Sequence, residues 1–417
     1  MDRTRNPFIV TAEIWGLLLM AMALFVVTVA IGMLNGLDVV EFDHNTLMTH
    51  IHAGTLGWIT LSVFAVCRLL FVGDGVEPGR SGERLWWSAA WLAIVSVPVY
   101  VAAFWSGSIT ARAITSLPVL ATIIVLVAWL LGRMRTAPLT VPRLALLAAV
   151  TTLTIGGIFG TLIQLQLALD FELVPAEAAG GGHVVAMAFS YLVLVGMGLV
   201  EWRLLPDSDR PSRAGTIQVG ALFAGGLILT IGAVANIQAL LSLNVLFQLI
   251  AVAIFIARIG RPILGAPWLR GGSPRWFAAA GVFVVVDIGL LVFLIVQLVS
   301  GAYGAPDQDI ELLAIPPWLI FALDHAIFIG VMTNAIFGLI DVLTRTRATA
   351  WPWADQIVFW GMNVGLIGFV VGLALDEVVF KQAFSPIMGA AILLGLAVSA
   401  MRVVQVVRAQ SPETAAV

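Results

Sequence analysis

The chain contains about twelve apolar segments that are each long enough to cross a lipid bilayer as a helix. A spanning helix needs about 20 mostly apolar residues, because the hydrocarbon core is about 30 Å thick. The predicted spans are 8–34, 48–72, 85–105, 110–132, 143–168, 180–202, 214–235, 238–259, 276–300, 317–341, 354–375 and 383–405. The sequence therefore predicts an all-α polytopic membrane protein, with residues 1–417 forming a single transmembrane domain.

Composition excludes the other broad classes of protein. Hydrophobic residues make up 60% of the chain and charged residues only 11%, against about 45–50% and 25% in soluble domains. Cys67 is the one cysteine, so a disulfide scaffold is excluded. The net charge of −3 provides no basic surface for nucleic acid. Lipid is the partner that this composition predicts.

The basic residues predict the orientation of the spans. Cytoplasmic ends of membrane helices are enriched in Lys and Arg. With Arg3 and Arg5 placed in the cytoplasm, twelve spans put all of the 21 basic residues except Arg112 and Lys381 at cytoplasmic ends. An even number of spans also returns the chain to its starting side. Both termini are therefore predicted to be cytoplasmic.

Five histidines are predicted to lie in the outer half of the membrane or just beyond it. His44 falls in the first outer loop, His50 and His52 begin the second span, His183 opens the sixth, and His325 lies two turns into the tenth. Ionisable residues inside spans are expensive and mark functional sites by default. Neutral imidazole is also a common metal ligand. The histidines predict a cofactor site near the outer face, with hydrogen bonding between helices as the alternative.

The spacing of His50 and His52 restricts what they can bind together. Two residues along a helix correspond to a rotation of about 200°, so the two rings point to nearly opposite faces of the second span. One metal ion bound by both is disfavoured. The sequence predicts instead that each ring meets a different neighbouring helix.

Three stretches resemble a known family. The run His-Ile-His-Ala-Gly-Thr-Leu-Gly-Trp at 50–58 resembles the His-x-His-x-Gly-x-Leu-Gly-Trp run in subunit I of the C-type haem–copper oxidases. The sixth span from Gly182 to Pro206 is similar to that family's sixth helix, whose histidine binds copper. The tenth span, 324–334, looks like the histidine-bearing helix of NnrS-like haem/copper membrane proteins. The resemblance implies an oxidase subunit I-like bundle in a bacterial inner membrane.

The chain also departs from the oxidase pattern. The predicted seventh span, 214–235, has no histidine, and Met187 rather than a tyrosine follows His183 by one turn. A complete oxygen-reductase site is therefore not expected, and whether the chain is an oxidoreductase stays open.

The resemblance implies specific roles for the histidines. His52 and His325 would be the axial ligands of one b-type haem. His50 and His183 are then left for a second haem or a copper ion, with His44 as a third ligand. Haem propionates need neutralising near the membrane edge, and Arg112 and Lys381 are the outer cations that would cap them, unless they only extend toward the interface.

Several functions fit these expectations. One is electron transfer from quinol or a periplasmic cytochrome, with or without partner subunits. A second is binding of a diatomic gas such as NO or O2, which requires an open metal position. The alternatives are a secondary transporter, or a non-catalytic oxidase-like protein that acts in assembly or stress response.

Two acidic residues are predicted to lie within spans. Glu13 and Asp287 fall in the inner parts of the first and ninth spans. Such residues either carry protons or form hydrogen bonds between helices.

Overall fold

The structure, a computed structural model, describes residues 10–72, 79–205, 211–304, 314–344, 351–375 and 377–410. Twelve helices in these ranges are long and apolar enough to cross a membrane. They are α1 (Ala12–Gly36), α2 (His44–Val72), α3 (Arg80–Trp105), α4 (Ile109–Arg133), α5 (Val141–Leu169), α6 (Ala176–Leu204), α7 (Arg213–Ala235), α8 (Gln238–Leu264), α9 (Ser273–Val299), α10 (Pro317–Thr344), α11 (Ala354–Ala374) and α12 (Val378–Gln410). The protein is an all-α polytopic membrane protein, as predicted. Arg3 and Arg5, on which the predicted orientation began, lie outside the described residues.

Helix α2 begins one turn earlier than predicted, so His44 is its first residue rather than part of a loop. The cause is Asp43, whose carboxylate accepts a hydrogen bond of 2.6 Å from the Thr46 N–H and caps the helix. This hydrogen bond lowers the pKa of Asp43 below its usual value. The cap is therefore formed at neutral pH and is lost only as the pH falls through that lowered pKa.

The helices pack in the order of the chain, and the last helix packs against the first. Consecutive helices pack against each other along the whole described chain, and α1 packs against α12. Three of them, α2, α6 and α10, are the most buried of the twelve. These three central helices meet near the middle of the bundle, where α10 contacts both α2 and α6.

Each central helix contains a π-helical segment near its middle. The segments are Ala53–Thr60 in α2, Met187–Leu192 in α6 and Ala326–Thr333 in α10. Such segments are uncommon and are often found at functional sites. Here all three follow within a few residues of a histidine, which places them just below the predicted cofactor site.

The bundle repeats three times, with α1–α4, α5–α8 and α9–α12 as the repeating units. In each unit the second helix is central and carries the π-helical segment, and the third and fourth helices pack together on the outside. The sequence shows no corresponding repeat. A membrane interior accepts many apolar side chains at each packing position, so the repeat persists in helix arrangement rather than in residue identity.

This arrangement divides the bundle into three equivalent sectors, each lying between two central helices. Sector A lies between α2 and α6 and includes α3, α4 and α5. Sector B lies between α6 and α10 and includes α7, α8 and α9. Sector C lies between α10 and α2 and includes α11, α12 and α1.

Side-chain hydrogen bonds connect the central helices at their π-helical segments. The Trp58 indole N–H donates to the Thr333 hydroxyl at 3.0 Å, and the Tyr191 hydroxyl donates to the Thr60 hydroxyl at 3.3 Å. All four side chains are buried. These bonds fix α2 against both α6 and α10, so they hold the histidine-bearing helices in register with one another.

The inner ends of the helices carry partnered arginines. Arg133 donates to the carbonyl of Phe71 and Arg143 to that of Leu70, so both bond the last turn of α2. Arg258 of α8 forms an ion pair with Glu201 of α6. These partners keep the cationic ends of the helices tied to the bundle at the side predicted to be cytoplasmic.

The predicted orientation can be tested by cysteine labelling. Cys67 is buried, so it should give no background with a membrane-impermeant maleimide. Leu173, in the outer α5–α6 connection, and Leu269, in the inner α8–α9 connection, are 72% and 78% exposed. In intact spheroplasts, L173C should be labelled and L269C should be labelled only after permeabilisation. The reverse pattern would overturn the orientation.

Candidate functional site

Four histidines lie at the outer ends of the three central helices, and each ring is anchored in the same way through Nδ1. His50 Nδ1 lies 2.9 Å from the Thr28 carbonyl oxygen, and His183 Nδ1 lies 2.8 Å from that of Gly156. Both carbonyls belong to the preceding helix. His52 and His325 instead use carbonyls of their own helix four residues earlier, at 2.7 and 2.8 Å.

These bonds determine the protonation of the rings. A carbonyl oxygen only accepts, so Nδ1 carries the hydrogen, and in the neutral ring Nε2 then keeps its lone pair. No hydrogen bond to Nε2 of these four rings occurs in the described part of the chain. An Nδ1–H bonded to a carbonyl, with Nε2 available, is the usual state of a histidine that binds a metal, because the bond fixes the ring and raises its basicity.

The threefold repeat explains which helix each histidine faces. Each central helix has two equivalent positions, two residues apart. They hold His50 and His52 in α2, His183 and Val185 in α6, and Leu323 and His325 in α10. The first position faces the preceding helix and the second faces the sector that follows in the chain.

The histidines therefore form two pairs, one in each of two sectors. His52 and His183 both face sector A, and they lie near enough to interact electrostatically. His50 and His325 face sector C and interact in the same way. The predicted opposite faces of His50 and His52 agree with this arrangement. The family resemblance instead implied that His52 pairs with His325, and the proximity of the rings favours the other grouping.

Glycines leave room for the two rings that bond the preceding helix. A Cβ at Gly160 of α5 would lie 2.9 Å from Cε1 of His183, and a Cβ at Gly32 of α1 would lie 3.0 Å from Cε1 of His50. Each glycine stands four residues after the residue whose carbonyl accepts the Nδ1 hydrogen. The same pair of features, a carbonyl acceptor and a glycine four residues later, thus occurs in sectors A and C.

Sector A also contains a buried cation beside its histidine pair. Phe104 stacks on the His52 ring with 4.0 Å between centroids, and the Arg112 guanidinium lies 5.0 Å from the Phe104 ring. Arg112 donates from Nη2 to the Asn45 amide oxygen at 2.5 Å. Its Nε is buried without a hydrogen-bond partner. A buried cation with an unused donor is suited to an anionic group that the chain itself does not provide.

Sector C has aromatic walls but a differently engaged cation. The His325 ring lies 4.8 Å from that of Phe369, and the His50 ring lies 5.5 Å from that of Phe42. Lys381, at the outer end of α12, is 4.0 Å from the Asp38 carboxylate. Lys381 therefore already has an anionic partner in this structure, whereas Arg112 has only a neutral one.

Sector B has no histidine pair. Its two equivalent positions hold Val185 and Leu323, which pack in an apolar cluster with Leu229, Leu291 and Leu294. The histidine sites are therefore limited to two of the three sectors.

The structure does not gather the ligands of a three-ligand metal site. Within the described ranges, no group of three His, Cys, Asp or Glu residues could hold one metal ion. His44 is exposed on the first turn of α2. His44, predicted as a third ligand, is therefore not grouped with the other histidines in the described ranges.

Sequence reasoning missed several residues that shape these sites. Thr28 and Gly156 act through their carbonyls, which carry no signature of residue type. Phe104 and Asn45 look like an ordinary core residue and an ordinary loop residue. One signal could have paired the histidines. It is the alignment of His50 and His52 with the equivalent positions His183–Val185 and Leu323–His325.

No protein-family model matches the chain, and no curated protein matches it either.

Filling the space beside a histidine should disturb the bundle. Gly160→Ala forces its Cβ against the His183 ring, and overpacking of this kind costs about 1–3 kcal/mol. Gly181→Ala is the matched control, because its Cβ would meet Ala233 at an ordinary 3.7 Å. Thermal unfolding in detergent should show G160A melting several degrees below G181A. Equal melting temperatures would mean that the His183 ring is not held where the structure places it.

Proposed function

We propose that the protein is a membrane cytochrome of the b type that transfers electrons through two bis-histidine haem sites near the outer face. The observation that carries this proposal is the pairing of the histidines. Four Nε2 atoms with available lone pairs are presented in two pairs, and each pair is contributed by two different helices.

The residues present fit a b-type haem in both sectors. His52 and His183 would hold the group in sector A, and His50 and His325 would hold it in sector C. Imidazole is a suitable axial ligand for haem iron, and anchoring of Nδ1 orients each ring before any ligand arrives. The unpartnered Nε of Arg112 adds a donor for a propionate in sector A.

The proposed chemistry is electron transfer rather than gas binding. If each histidine pair holds one haem, the group would supply single-electron transfer, and the two imidazoles would leave no open position for NO or O2. The chain's own residues hold the rings through the carbonyls of Thr28, Met48, Gly156 and Phe321. Phe104 stacks on the His52 ring in sector A, and Phe369 packs at a tilt against the His325 ring in sector C.

The resemblance to C-type oxidase subunit I and NnrS-like proteins supports the same proposal. The resemblance adds to the proposal a bacterial inner membrane as the location, quinol or a periplasmic cytochrome as the electron donor, and partner subunits. Copper is left out of the proposal, because three ligands do not converge within the described part of the chain. The membrane itself contributes lipid contacts along the exposed apolar side chains of the outer helices.

Spectra of histidine variants test both the haems and their pairing. The purified protein should contain two b-type haems per chain. H52A or H183A should each remove about half of the Soret absorbance, and the double variant should remove no more, because both residues hold one group. Combining H183A with H325A should remove nearly all of it. The measurement is a pyridine haemochrome assay with reduced-minus-oxidised spectra.

The exposed His44 provides the control, since H44A should keep the full haem content. An unchanged spectrum in each of H50A, H52A, H183A and H325A would contradict the haem proposal. If H52A and H325A behaved as one site instead, the haem proposal would stand, but the pairing in sectors A and C would be wrong.

The charge of Arg112 should raise the midpoint potential of the haem proposed for sector A. R112Q removes a positive charge that favours the electron-bearing state, so the midpoint potential of that haem should fall. A change of about 1 kcal/mol corresponds to roughly 40 mV for a one-electron couple. Redox titration of R112Q should show this fall for one of the two haems. K381Q, whose lysine pairs with Asp38, should leave the sector A haem unchanged.

A further inference from the structure

Sector B lacks the histidine pair but contains a set of buried polar side chains. Ser190, Asn244, Gln248 and Asp287 lie on α6, α8 and α9, and none of them has any exposed surface. The apolar cluster around Leu323 lies between them and the outer face. The polar set is therefore enclosed within the membrane-spanning part of the protein.

These side chains leave several polar atoms without a partner. They are the Ser190 hydroxyl oxygen, the Asn244 Nδ2, the Gln248 Oε1 and both carboxyl oxygens of Asp287. The one hydrogen bond recorded among them runs from Gln248 Nε2 to Asn244 Oδ1 at 3.3 Å. Buried polar atoms are nearly always paired, with protein or with ordered water.

The packing around α7 directs Ser190 and Asn244 into the same sector. A Cβ at Gly226 would collide with the Ser190 hydroxyl, and a Cβ at Gly225 would lie 3.0 Å from the Asn244 amide oxygen. The two glycines are adjacent in sequence. They leave the space that the polar groups of α6 and α8 occupy against α7.

The neighbours of Asp287 one turn away place its side chain in the same region. Val284 lies against Gly196 of α6. Leu291 packs in the apolar cluster that includes Leu229 of α7 and Leu323 of α10. Asp287 stands between them on α9, so it belongs to sector B.

An ionised carboxylate at this position would be very costly. An isolated charge in a low-dielectric interior loses its hydration, and proteins respond by neutralising the group. Asp287 has neither a cation nor a hydrogen-bond donor beside it within the described part of the chain. A neutral carboxylic acid, by contrast, can donate one hydrogen bond and accept others. Internal water can supply the partners that the side chains lack.

We propose that sector B is a proton-binding site, in which Asp287 holds a proton and is joined by internal water to Ser190, Asn244 and Gln248. The site takes protons and water, the ligands that match its unpaired donors and acceptors. It is separate from the haem sites, because in the described part of the chain no hydrogen bond joins any of its four residues to the paired histidines.

The charged groups around α9 leave this proton in place. Asp324 on α10 lies near enough to Asp287 to interact with it, and as an acidic group it provides no positive charge to compensate an ionised Asp287. Glu201 of α6 is held in an ion pair with Arg258 of α8. Other ionisable groups on the packed helices have partners elsewhere. Arg203 donates to the Ser273 hydroxyl, Arg275 donates to the Asp355 carbonyl, and Asp341 forms an ion pair with Arg402. His183 and His325 face sectors A and C.

Infrared spectroscopy of the purified protein in nanodiscs tests the proposal. A protonated carboxylic acid has a carbonyl stretch separate from that of a carboxylate, and it shifts in D2O. We expect this band at neutral pH in the wild-type protein, with a component that is absent from D287N. The matched control is D341N, which removes an aspartate held in an ion pair with Arg402 and should leave the band intact.

Two further variants keep the test decisive if D287N does not fold. S190A and Q248L each remove a group that shares water with Asp287, so each should shift the band without abolishing it. The proposal is overturned if the band of D287N equals that of the wild-type protein, or if neither S190A nor Q248L shifts the component that D287N removes. The same band should remain in H183A/H325A, so a failure of the haem sites would be recognised separately.

Discussion

The structure depends on the angular step of the α-helix. Two residues along a helix turn the side chain by about 200°, so one central helix can serve two sectors at once. Because α2, α6 and α10 each use a pair of positions with this spacing, three helices provide six inward positions for three sectors. Two sectors receive two histidines each, and the third receives Val185 and Leu323. The distribution of function in the bundle follows from which of these positions carry an imidazole.

A second constraint acts on the rings themselves. In a membrane interior, a backbone carbonyl that accepts an additional hydrogen bond is one of the few fixed partners available to an imidazole. His50 and His183 reach the carbonyls of the preceding helix, and this reach is possible only because Gly32 and Gly160 present no Cβ. The position of each ring, its tautomer and the space beside it are thus determined together. For this reason the histidine sites in sectors A and C are similar, even though their aromatic surroundings differ.

Much of the fold could be predicted from the sequence, because a spanning helix needs a long apolar segment that few other structures need. All twelve spans were found in this way, although α2, α3, α6 and α12 each begin about one turn earlier than predicted. For α2 the missed turn reflects one capping residue, Asp43. The depth of the histidines followed from the same segments. Their pairing did not, since it depends on a threefold arrangement that leaves no trace in residue identity. The resemblance, which rests on short motifs, implied a different partner for His52.

The π-helical segments have a consequence for how such a protein can change. Each π turn accommodates a residue more than an α turn, so the outer half of a central helix is rotated relative to its inner half. The inner ends of these segments are fixed by Trp58–Thr333 and Tyr191–Thr60. A single insertion or deletion within Ala53–Thr60 would re-aim the imidazoles above it while the packing below kept its register. Ligand direction and bundle stability can therefore evolve separately along one continuous helix.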